Sequence, residues 1–200
     1  MSTSPAFDPA RTAVLIMDYQ AGILAGLGAE AEPLVTRAVR VLDASRTGGL
    51  PIFFVKVCFR PGHPEIGENN PMFATAKQAG RFASGSPDAE IHPAVAPRAG
   101  DVIVMKRRVS AFAGSDLELI LRARKIDTLV LFGVATSGVV LSTVRQAADA
   151  DYRLHLVADC CADRDPEVHR VLLEKIFPRQ AEVADADTLV ARLRAPAARA

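Results

Sequence analysis

The sequence predicts a three-layer α/β protein, in which a Rossmann-like, six-stranded, mostly parallel sheet lies between helices on both of its faces. Apolar runs of strand length alternate with amphipathic stretches of helix length along the chain. This alternation is typical of a parallel sheet whose strands are joined by crossover helices. Hydrophobic residues make up 50% of the 200 residues, which is enough for a sizeable core.

Six apolar runs predict the strands, and right-handed crossovers between them place helices on both faces of the sheet. The predicted strands are Ala13–Asp18, Ile52–Phe59, Val102–Lys106, Leu129–Val134, Leu154–Ala158 and Ala181–Val183. Five helices are predicted to accompany them.

Local signals mark where several helices begin. Pro33 is a favoured first helical residue and predicts the helix Leu34–Arg46. Ser115 and Glu118 have the spacing of a capping box, which predicts another helix after the third strand. Asp165 precedes a proline and is the expected N-cap of a later helix.

The segment 60–100 interrupts the regular alternation. It is rich in Pro and Gly and has no clear hydrophobic period. Since loops of this length are usually lids or binding loops, we expect it to lie over the functional site. No repeat or linker divides the chain, so we expect residues 1–200 to form a single domain with its core at about 11–184.

Composition restricts the classes of function. The formal net charge is +1, so no basic surface for nucleic acid is expected, and a small molecule is the expected partner. No apolar stretch approaches the ~20 residues of a membrane span, and the N-terminus does not resemble a signal peptide. Three cysteines, two of them adjacent, do not suggest a disulfide framework. We therefore expect a cytoplasmic protein that binds neither membranes nor nucleic acid.

Charged residues at two strand ends are the first candidates for chemistry, because parallel sheets bind ligands beyond the carboxyl ends of their strands. Asp18 ends the first strand in LIMDYQ, and Lys106 ends the third in VIVMKRR. An Asp and a Lys that meet there can act as a general base and its electrostatic partner. The alternative is a structural ion pair that joins two strand ends.

The segment Gly133–Val140, GVATSGVV, is predicted to be a strand-to-helix turn of the kind on which enzymes mount a nucleophile. It follows an apolar run and opens a helical pattern that continues to Ala150. Successive backbone N–H groups at the start of that helix would form an anion or oxyanion site. The alternative is a small-residue turn that serves close packing alone.

Four sequence features together resemble the isochorismatase-like hydrolases, also called the cysteine hydrolase superfamily. They are Asp18 in LIMDYQ, Lys106 in GDVIVMKRRVSAF, the GVAT turn at 133–136, and the strand RLHLVADCCAD. The similarity extends from about Arg11 to Ala184. It implies a six-stranded parallel sheet between helices and assembly into dimers or larger oligomers.

The composition of two helices also favours association. The helices that begin at Leu34 and Thr136 carry more Val, Leu and Ala than a monomer of this size would comfortably expose. We therefore predict a homodimer or a higher homo-oligomer.

For members that hydrolyse amides, the resemblance implies a triad of Asp, Lys and Cys. Asp18 and Lys106 match the first two, and Val139 stands where the cysteine is expected, three residues after the Thr of the turn. The resemblance also implies a non-proline cis peptide bond at Val134–Ala135. The residues expected to bind the substrate are Gln20, Ala135, Thr136, Ser137, Gly138 and Phe112.

A valine cannot attack a carbonyl carbon, so a thioester intermediate is not predicted. Isochorismatases also lack the cysteine and cleave a vinyl ether by protonation and water attack, with the aspartate as the acid. We therefore predict an isochorismatase-like hydrolase of a small polar or aromatic metabolite that uses Asp18 and Lys106 and needs no cofactor. Two alternatives are a catalytically silent member that binds a small molecule or serves as an assembly subunit, and a hydrolase whose nucleophile is Cys161.

Nicotinamidase-type members of the superfamily often carry a metal site, built from an Asp-x-His and a second His after the second strand. In this chain the corresponding region, CFRPGHPEIGENN, has the single histidine His63 and no such pair. Clustered ligands at short spacing are the usual sign of a metal site, so no metal is predicted.

Overall fold

Six parallel strands form the centre of the computed structural model, which describes residues 7–194. The strands are β1 (Thr12–Met17), β2 (Ile52–Val57), β3 (Val102–Lys106), β4 (Thr128–Gly133), β5 (Arg153–Val157) and β6 (Glu182–Ala184). Their order across the sheet is β3-β2-β1-β4-β5-β6, and each neighbouring pair is parallel. The predicted six-stranded α/β fold is confirmed.

The central strands β1 and β4 are buried along their whole length. Strands covered on both faces need continuous apolar runs, which TAVLIM and TLVLFG provide. The two strands stay in register to their ends, where Met17 lies opposite Gly133. A Cβ atom on Gly133 would lie 2.6 Å from the carbonyl oxygen of Met17, so this close approach requires a glycine.

The strand order creates a crevice at the carboxyl end of β1. From β1 the chain continues to β2 and β3 on one side, and β4 returns to the other side of β1. Parallel sheets bind ligands at such a switch point, where successive connections diverge. Asp18 follows β1 directly and the turn Gly133–Val140 follows β4, so both lie at this crevice.

Seven α-helices surround the sheet in the described part of the chain. They are α1 (Ala21–Leu24), α2 (Ala31–Thr47), α3 (Pro71–Gln78), α4 (Leu117–Ala123), α5 (Leu141–Asp149), α6 (Pro166–Val171) and α7 (Ala186–Arg194). The count exceeds the predicted five, because α1 and α3 span only 4 and 8 residues and are too short to show a clear period. Helix α2 begins before Pro33, which is its third residue. None of these helices has the length and apolar composition needed to cross a membrane.

The sequence predicted an N-cap for one helix and a capping box for another, and the structure confirms only the first. Asp165 caps α6 as predicted, since its carboxylate accepts hydrogen bonds from two N–H groups of the first turn at 2.9 and 3.1 Å. The prediction of a capping box was wrong. The hydroxyl of Ser115 accepts from the Leu117 N–H at 3.2 Å, but Glu118 pairs with Arg122 along the helix instead of turning back.

The segment 60–100 is more structured than its composition suggested. It contains α3 and two short 3-10 turns at 87–89 and 93–95. Its apolar side chains form a small core of their own with the end of β2, and this core consists of Val57, Phe59, Ile66, Phe73, Phe82 and Ala89. Because these residues are spaced irregularly, no periodicity marks them in the sequence.

The apolar helix faces that suggested association are already buried within the chain. Leu34, Val41 and Leu42 of α2 and Val144 of α5 are at most 2% exposed. The apolar composition of these helices therefore gives no reason to expect an oligomer, although association itself stays a prediction. Large apolar side chains are exposed at other places, namely Met72, Ile103, Met105, Leu119 and Val168.

Candidate active site

Asp18 and Lys106 form a buried ion pair at the crevice. The Nζ atom of Lys106 lies 2.8 Å from the Oδ2 atom of Asp18, and the two side chains are 3% and 7% exposed, respectively. The two residues therefore meet, as their interpretation as an acid–base pair requires. Their strands are not neighbours, since β2 lies between β1 and β3. Lys106 also donates a hydrogen bond to the carbonyl oxygen of Arg108 at 3.1 Å.

The backbone of Asp18 turns sharply as it leaves β1. Its φ of 58° lies in the left-handed region, which Asp and Asn tolerate better than most residues. The Asp18 N–H still donates to the carbonyl oxygen of Val55 at 2.8 Å, which keeps the residue attached to β2. Its Oδ1 atom is buried and has no hydrogen-bond partner among residues 7–194. That oxygen is therefore the one available to a ligand or a water molecule.

Burial raises the pKa of Asp18 above its ordinary value of 3.8, although the charge of Lys106 and a hydrogen bond from it act in the opposite direction. Desolvation disfavours the carboxylate because it removes water from the charged form. A proton is therefore held at higher pH than on an exposed aspartate. A raised pKa favours the protonated form, which a general acid requires.

Asp18 and Lys106 line a cavity of about 460 Å³. The turn after β4 and the segment 60–100 contribute most of the remaining wall, with Ala135 and Val139 from the turn and Phe73 and Phe82 from the segment. The wall is mainly apolar, and its volume is within the usual range for sites that bind small molecules. The cavity therefore has a mainly apolar wall that includes one acid–base pair.

The turn after β4 has the peptide geometry that was predicted. The bond Val134–Ala135 is cis. After it, the residues 136–140 form a single π-helical turn that leads into α5. Both residues of the cis peptide line the cavity.

Three N–H groups of the turn are already bonded, which corrects the prediction of an anion site made of successive free N–H groups. The Thr136 N–H donates to the carbonyl oxygen of Ala162 at 2.8 Å. The Gly138 N–H donates to the carbonyl oxygen of Ala135, within the turn, at 3.1 Å. Ser137 donates to the carboxylate of Asp163 at 2.7 Å. The turn does hold an anion, but this anion is a side chain of the protein.

Comparisons with known proteins agree with this arrangement. A model of the isochorismatase domain matches residues 12–188. The chain belongs to the isochorismatase family.

Individual proteins are similar over most of this chain. The family protein YecD of Escherichia coli O157:H7 is 34% identical over 183 residues, which cover 90% of this chain and 94% of that protein. Ureidoacrylate amidohydrolase of Methylobacterium radiotolerans is 30% identical over 197 residues, 86% of this chain and 75% of that enzyme. The crystal structure of a cysteine hydrolase from Pseudomonas syringae pv. phaseolicola 1448A superposes with a TM-score of 0.85 at 26% identity, covering 96% of this chain and 98% of that one.

Val139 is the residue at the position where the family resemblance led us to expect the nucleophile. It is 2% exposed and lines the cavity together with Asp18 and Lys106. An apolar side chain at this place supplies no electron pair for attack on a substrate.

The three cysteines of this isochorismatase-family chain all lie within the described residues, and none lines the cavity. Cys161 lines a separate cavity, and its thiol donates to the carbonyl oxygen of Val157 at 3.4 Å. Burial raises the pKa of Cys161 to about 12. The alternative in which Cys161 is the nucleophile was therefore wrong, since its thiol is neither ionised near neutral pH nor beside Asp18.

Gln20 was predicted to bind the substrate, but the structure places it in the protein interior and outside the cavity wall. Its amide nitrogen donates to the carbonyl oxygens of Val57 and Ala89, both at 2.9 Å. Its amide oxygen accepts from the Val57 N–H at 2.8 Å. Gln20 therefore fixes the segment after β1 to the end of β2, two residues away from Asp18.

Thr136 and Phe112 were also predicted to bind the substrate, and neither lines the cavity. The Thr136 side chain is buried, and its hydroxyl lies 2.8 Å from Nδ1 of His169 on α6. Phe112 packs beside Tyr152, with 5.9 Å between the ring centroids. Of the predicted binding residues, Ala135, Ser137 and Gly138 do line the cavity.

Two arginines that line the cavity were not among the predicted site residues. Arg81 belongs to the irregular segment 60–100, and Arg164 follows β5. Arg164 and its neighbour Asp163 lie several residues past the end of β5, at Val157, and so beyond the strand ends from which the candidates were taken. No sequence signal marks Arg81.

His63, the single histidine of the region CFRPGHPEIGENN, is used within the protein. Its Nε2 atom lies 2.7 Å from the carbonyl oxygen of Arg81, and the residue is 4% exposed. In the part of the chain that the structure describes, no group of three or more His, Cys, Asp or Glu side chains is arranged to hold a metal ion. The residues present do not fit a metal site of that kind.

Proposed function

We propose that this chain is a hydrolase of a small polar or aromatic metabolite, in which Asp18 and Lys106 perform acid–base chemistry without a covalent cysteine intermediate. The observation that carries the proposal is the buried ion pair at 2.8 Å on the wall of the cavity, with one carboxylate oxygen left without a partner. Relatives that support hydrolysis include ureidoacrylate amidohydrolase and maleamate amidohydrolase.

In the proposed reaction Asp18 first holds a proton on the oxygen that Lys106 does not contact. It donates this proton to the substrate, either to the alkene carbon of a vinyl ether or to the leaving nitrogen of an amide, and a water molecule attacks the carbon that becomes electron-poor. The attacking water returns a proton to Asp18, so the carboxyl group is restored. Lys106 stabilises the carboxylate of Asp18 in the interval between the two proton transfers. General acid catalysis of this kind is worth ~10²–10⁴-fold in rate.

The raised pKa of Asp18 supports its role as the acid, because a larger fraction of the enzyme then carries the proton near working pH. Val139 supports the non-covalent route, since it gives the cavity no nucleophile. A water molecule is then the only attacking group that the reaction requires.

The second candidate is a catalytically silent member that binds a small molecule or serves as an assembly subunit. The buried apolar side chain of Val139 on the cavity wall favours it, because this side chain occupies space beside the acid–base pair. Turnover discriminates between the two candidates.

The test is a screen of the purified protein against isochorismate, nicotinamide, ureido acids and simple amides. We expect hydrolysis of at least one class, and we expect Asp18→Asn to reduce it by ~10²-fold or more. The matched control is Asp149→Asn, which removes an exposed carboxylate outside the cavity. If no compound is hydrolysed, or if Asp18→Asn is as active as wild type, the proposed function is wrong.

A further inference from the structure

The turn after β4 begins directly beside Asp18. The Val134 N–H donates to the carbonyl oxygen of Met17 at 3.2 Å, and Met17 is the residue before Asp18. The turn then contributes Ala135 and Val139 to the wall of the cavity. A displacement of this turn would therefore change the cavity wall next to the acid–base pair.

The segment that follows β5 holds this turn through three contacts. Two of them use backbone groups of the turn. The Thr136 N–H donates to the carbonyl oxygen of Ala162 at 2.8 Å. The Ser137 N–H donates to the carboxylate of Asp163 at 2.7 Å. The third contact depends on a side chain of the turn, because it joins the hydroxyl of Thr136 to the ring of His169 on α6.

The hydroxyl of Thr136 has one hydrogen-bond partner among residues 7–194, and this partner is His169. Thr136 is fully buried, and its Oγ1 atom lies 2.8 Å from Nδ1 of the ring. A buried hydroxyl without a partner costs free energy, because it has lost its hydrogen bonds to water. The contact therefore constrains the Thr136 side chain and the backbone that carries it.

His169 has a fixed place on α6 and is uncharged. Its N–H donates to the carbonyl oxygen of Asp165, the residue that caps the helix, at 3.0 Å. Burial lowers the pKa of His169 below its ordinary value of 6.5, although the charges of Asp163 and Glu30 act in the opposite direction. The ring is therefore neutral near neutral pH, and its contact with Thr136 joins two uncharged groups.

We propose that His169 is a positioning residue for the reaction, which acts through the Thr136 hydroxyl to hold the turn after β4 in place on the cavity wall. His169 does not line this cavity, so it acts on the substrate only through the turn. It lines instead the second cavity, of about 630 Å³, which Cys161 also lines. The inference rests on the proposed function, because it concerns the reaction in the cavity of Asp18.

The first test is steady-state kinetics with the compound that the wild type hydrolyses. Thr136→Val removes the hydroxyl and His169→Phe removes the ring nitrogen, and each variant keeps a side chain of similar shape and the same charge. We expect each to reduce kcat by about ten-fold or more, because small displacements around a reacting substrate are costly in rate. KM should change little, since Phe73 and Phe82 line the cavity from the segment 60–100 and are not displaced.

Two conservative variants restore the contact. Thr136→Ser keeps a hydroxyl, and His169→Asn places an amide group near the position of Nδ1, so both should keep most of the wild-type kcat. Combining Thr136→Val with His169→Phe should cost no more in kcat than either change alone, because the two residues act through one hydrogen bond.

Thr143→Val is the matched control. Thr143 lies on α5 and is as fully buried as Thr136, and its hydroxyl accepts a hydrogen bond from the Ala111 N–H at 3.0 Å. It does not line the cavity. Thr143→Val should lower the midpoint of urea unfolding much as Thr136→Val does, but it should leave kcat unchanged. The comparison separates loss of stability from loss of position.

The second test does not need turnover. Hydrogen exchange, followed by mass spectrometry of peptides that contain residues 133–141, measures how often the turn opens. Thr136→Val and His169→Phe should each speed exchange in these peptides about five-fold, which is the effect expected from loss of one hydrogen bond. Thr136→Ser and Thr143→Val should not change it.

The proposal fails if Thr136→Val or His169→Phe keeps the wild-type kcat, or if neither conservative variant restores it. It also fails if the losses multiply in the double variant, if Thr143→Val lowers kcat as much, or if exchange in 133–141 is unchanged. These outcomes are distinct from failure of the proposed function. Hydrolysis that survives both substitutions would overturn only this inference, whereas faster exchange in a chain that hydrolyses nothing would overturn only the hydrolase.

Discussion

Lys106 reaches across the end of β2 to contact Asp18. Neighbouring strands lie ~4.8 Å apart, so β1 and β3, which flank β2, are separated by roughly twice that distance. The long side chain of Lys106, at the end of β3, spans most of this distance and brings its Nζ atom within 2.8 Å of the carboxylate of Asp18, which follows β1 directly.

Removal of the lysine charge should destabilise the protein. In Lys106→Met the carboxyl group of Asp18 stays buried without its counter-charge and hydrogen-bond donor, and breaking a buried pair in this way costs about 3–5 kcal/mol. Urea unfolding at neutral pH measures the loss. Adding Asp18→Asn to Lys106→Met should recover much of it, whereas Lys175→Met, at an exposed lysine, should have little effect. If the double variant is no more stable than Lys106→Met, the pair does not act as a unit.

The stability of the wild type should depend on pH through Asp18. Because burial raises the pKa of Asp18 above 3.8, the folded protein keeps the proton after the unfolded chain has released it. The stabilisation from this group is full below pH 3.8 and is lost as the pH rises through the folded-state pKa. The stability of wild type relative to Asp18→Asn should therefore fall over that interval in unfolding experiments at a series of pH values. A difference that stays constant, or that grows with pH, contradicts the shift.

A thiol introduced at Val139 should be reactive. Lys106 and the N-terminus of the following helix favour a thiolate there, so Val139→Cys should be alkylated by iodoacetamide near neutral pH and gain weak amidase or esterase activity. Background alkylation of the native cysteines should be low, because burial raises the pKa of Cys160 and that of Cys161. Mass spectrometry counts the labels and locates them. A thiol that labels no faster than free cysteine, and that Asp18→Ala does not affect, would favour the binding or structural alternative.

The chain should associate in solution. We expect light scattering to show a homodimer or a larger assembly of the 21.3 kDa chain. Ile103 and Met105 lie on the edge strand β3 and are 50% and 44% exposed, so Ile103→Lys should weaken the assembly. A single 21.3 kDa species at all concentrations would show that the prediction is wrong.

Gln20 should contribute to the stability of the fold, although it does not line the cavity. Gln20→Met removes the amide that bonds both backbone groups of Val57 and the carbonyl of Ala89, and each buried group left without a partner costs about 1–3 kcal/mol. Unfolding experiments should show a loss of this size, and the displaced Asp18 should lower the rate of hydrolysis. Gln180→Met removes a half-buried glutamine whose hydrogen bond to Arg145 is exposed to solvent, so it should cost little. Equal stability of the two variants would contradict the assigned role.

Much of the fold could be predicted because its signals are local. The buried central strands are continuous apolar runs, and Asp18 and Lys106 could be selected because each follows such a run directly. The turn after β4 was identified by its small residues and by the helical period after it. In each case neighbours in the sequence carry the information.

Other parts of the site arise from contacts between distant segments, for which the sequence has no period. Arg81 reaches the cavity because the irregular segment 60–100 folds around its own apolar core, and Gln20 bonds to β2 because that strand runs beside β1. The direction in which a side chain points after a strand end depends on φ, as at Asp18, and on what packs against it. Composition and spacing therefore locate the acid–base pair, whereas the cavity wall and the distinction between binding and supporting residues depend on how the segments pack together.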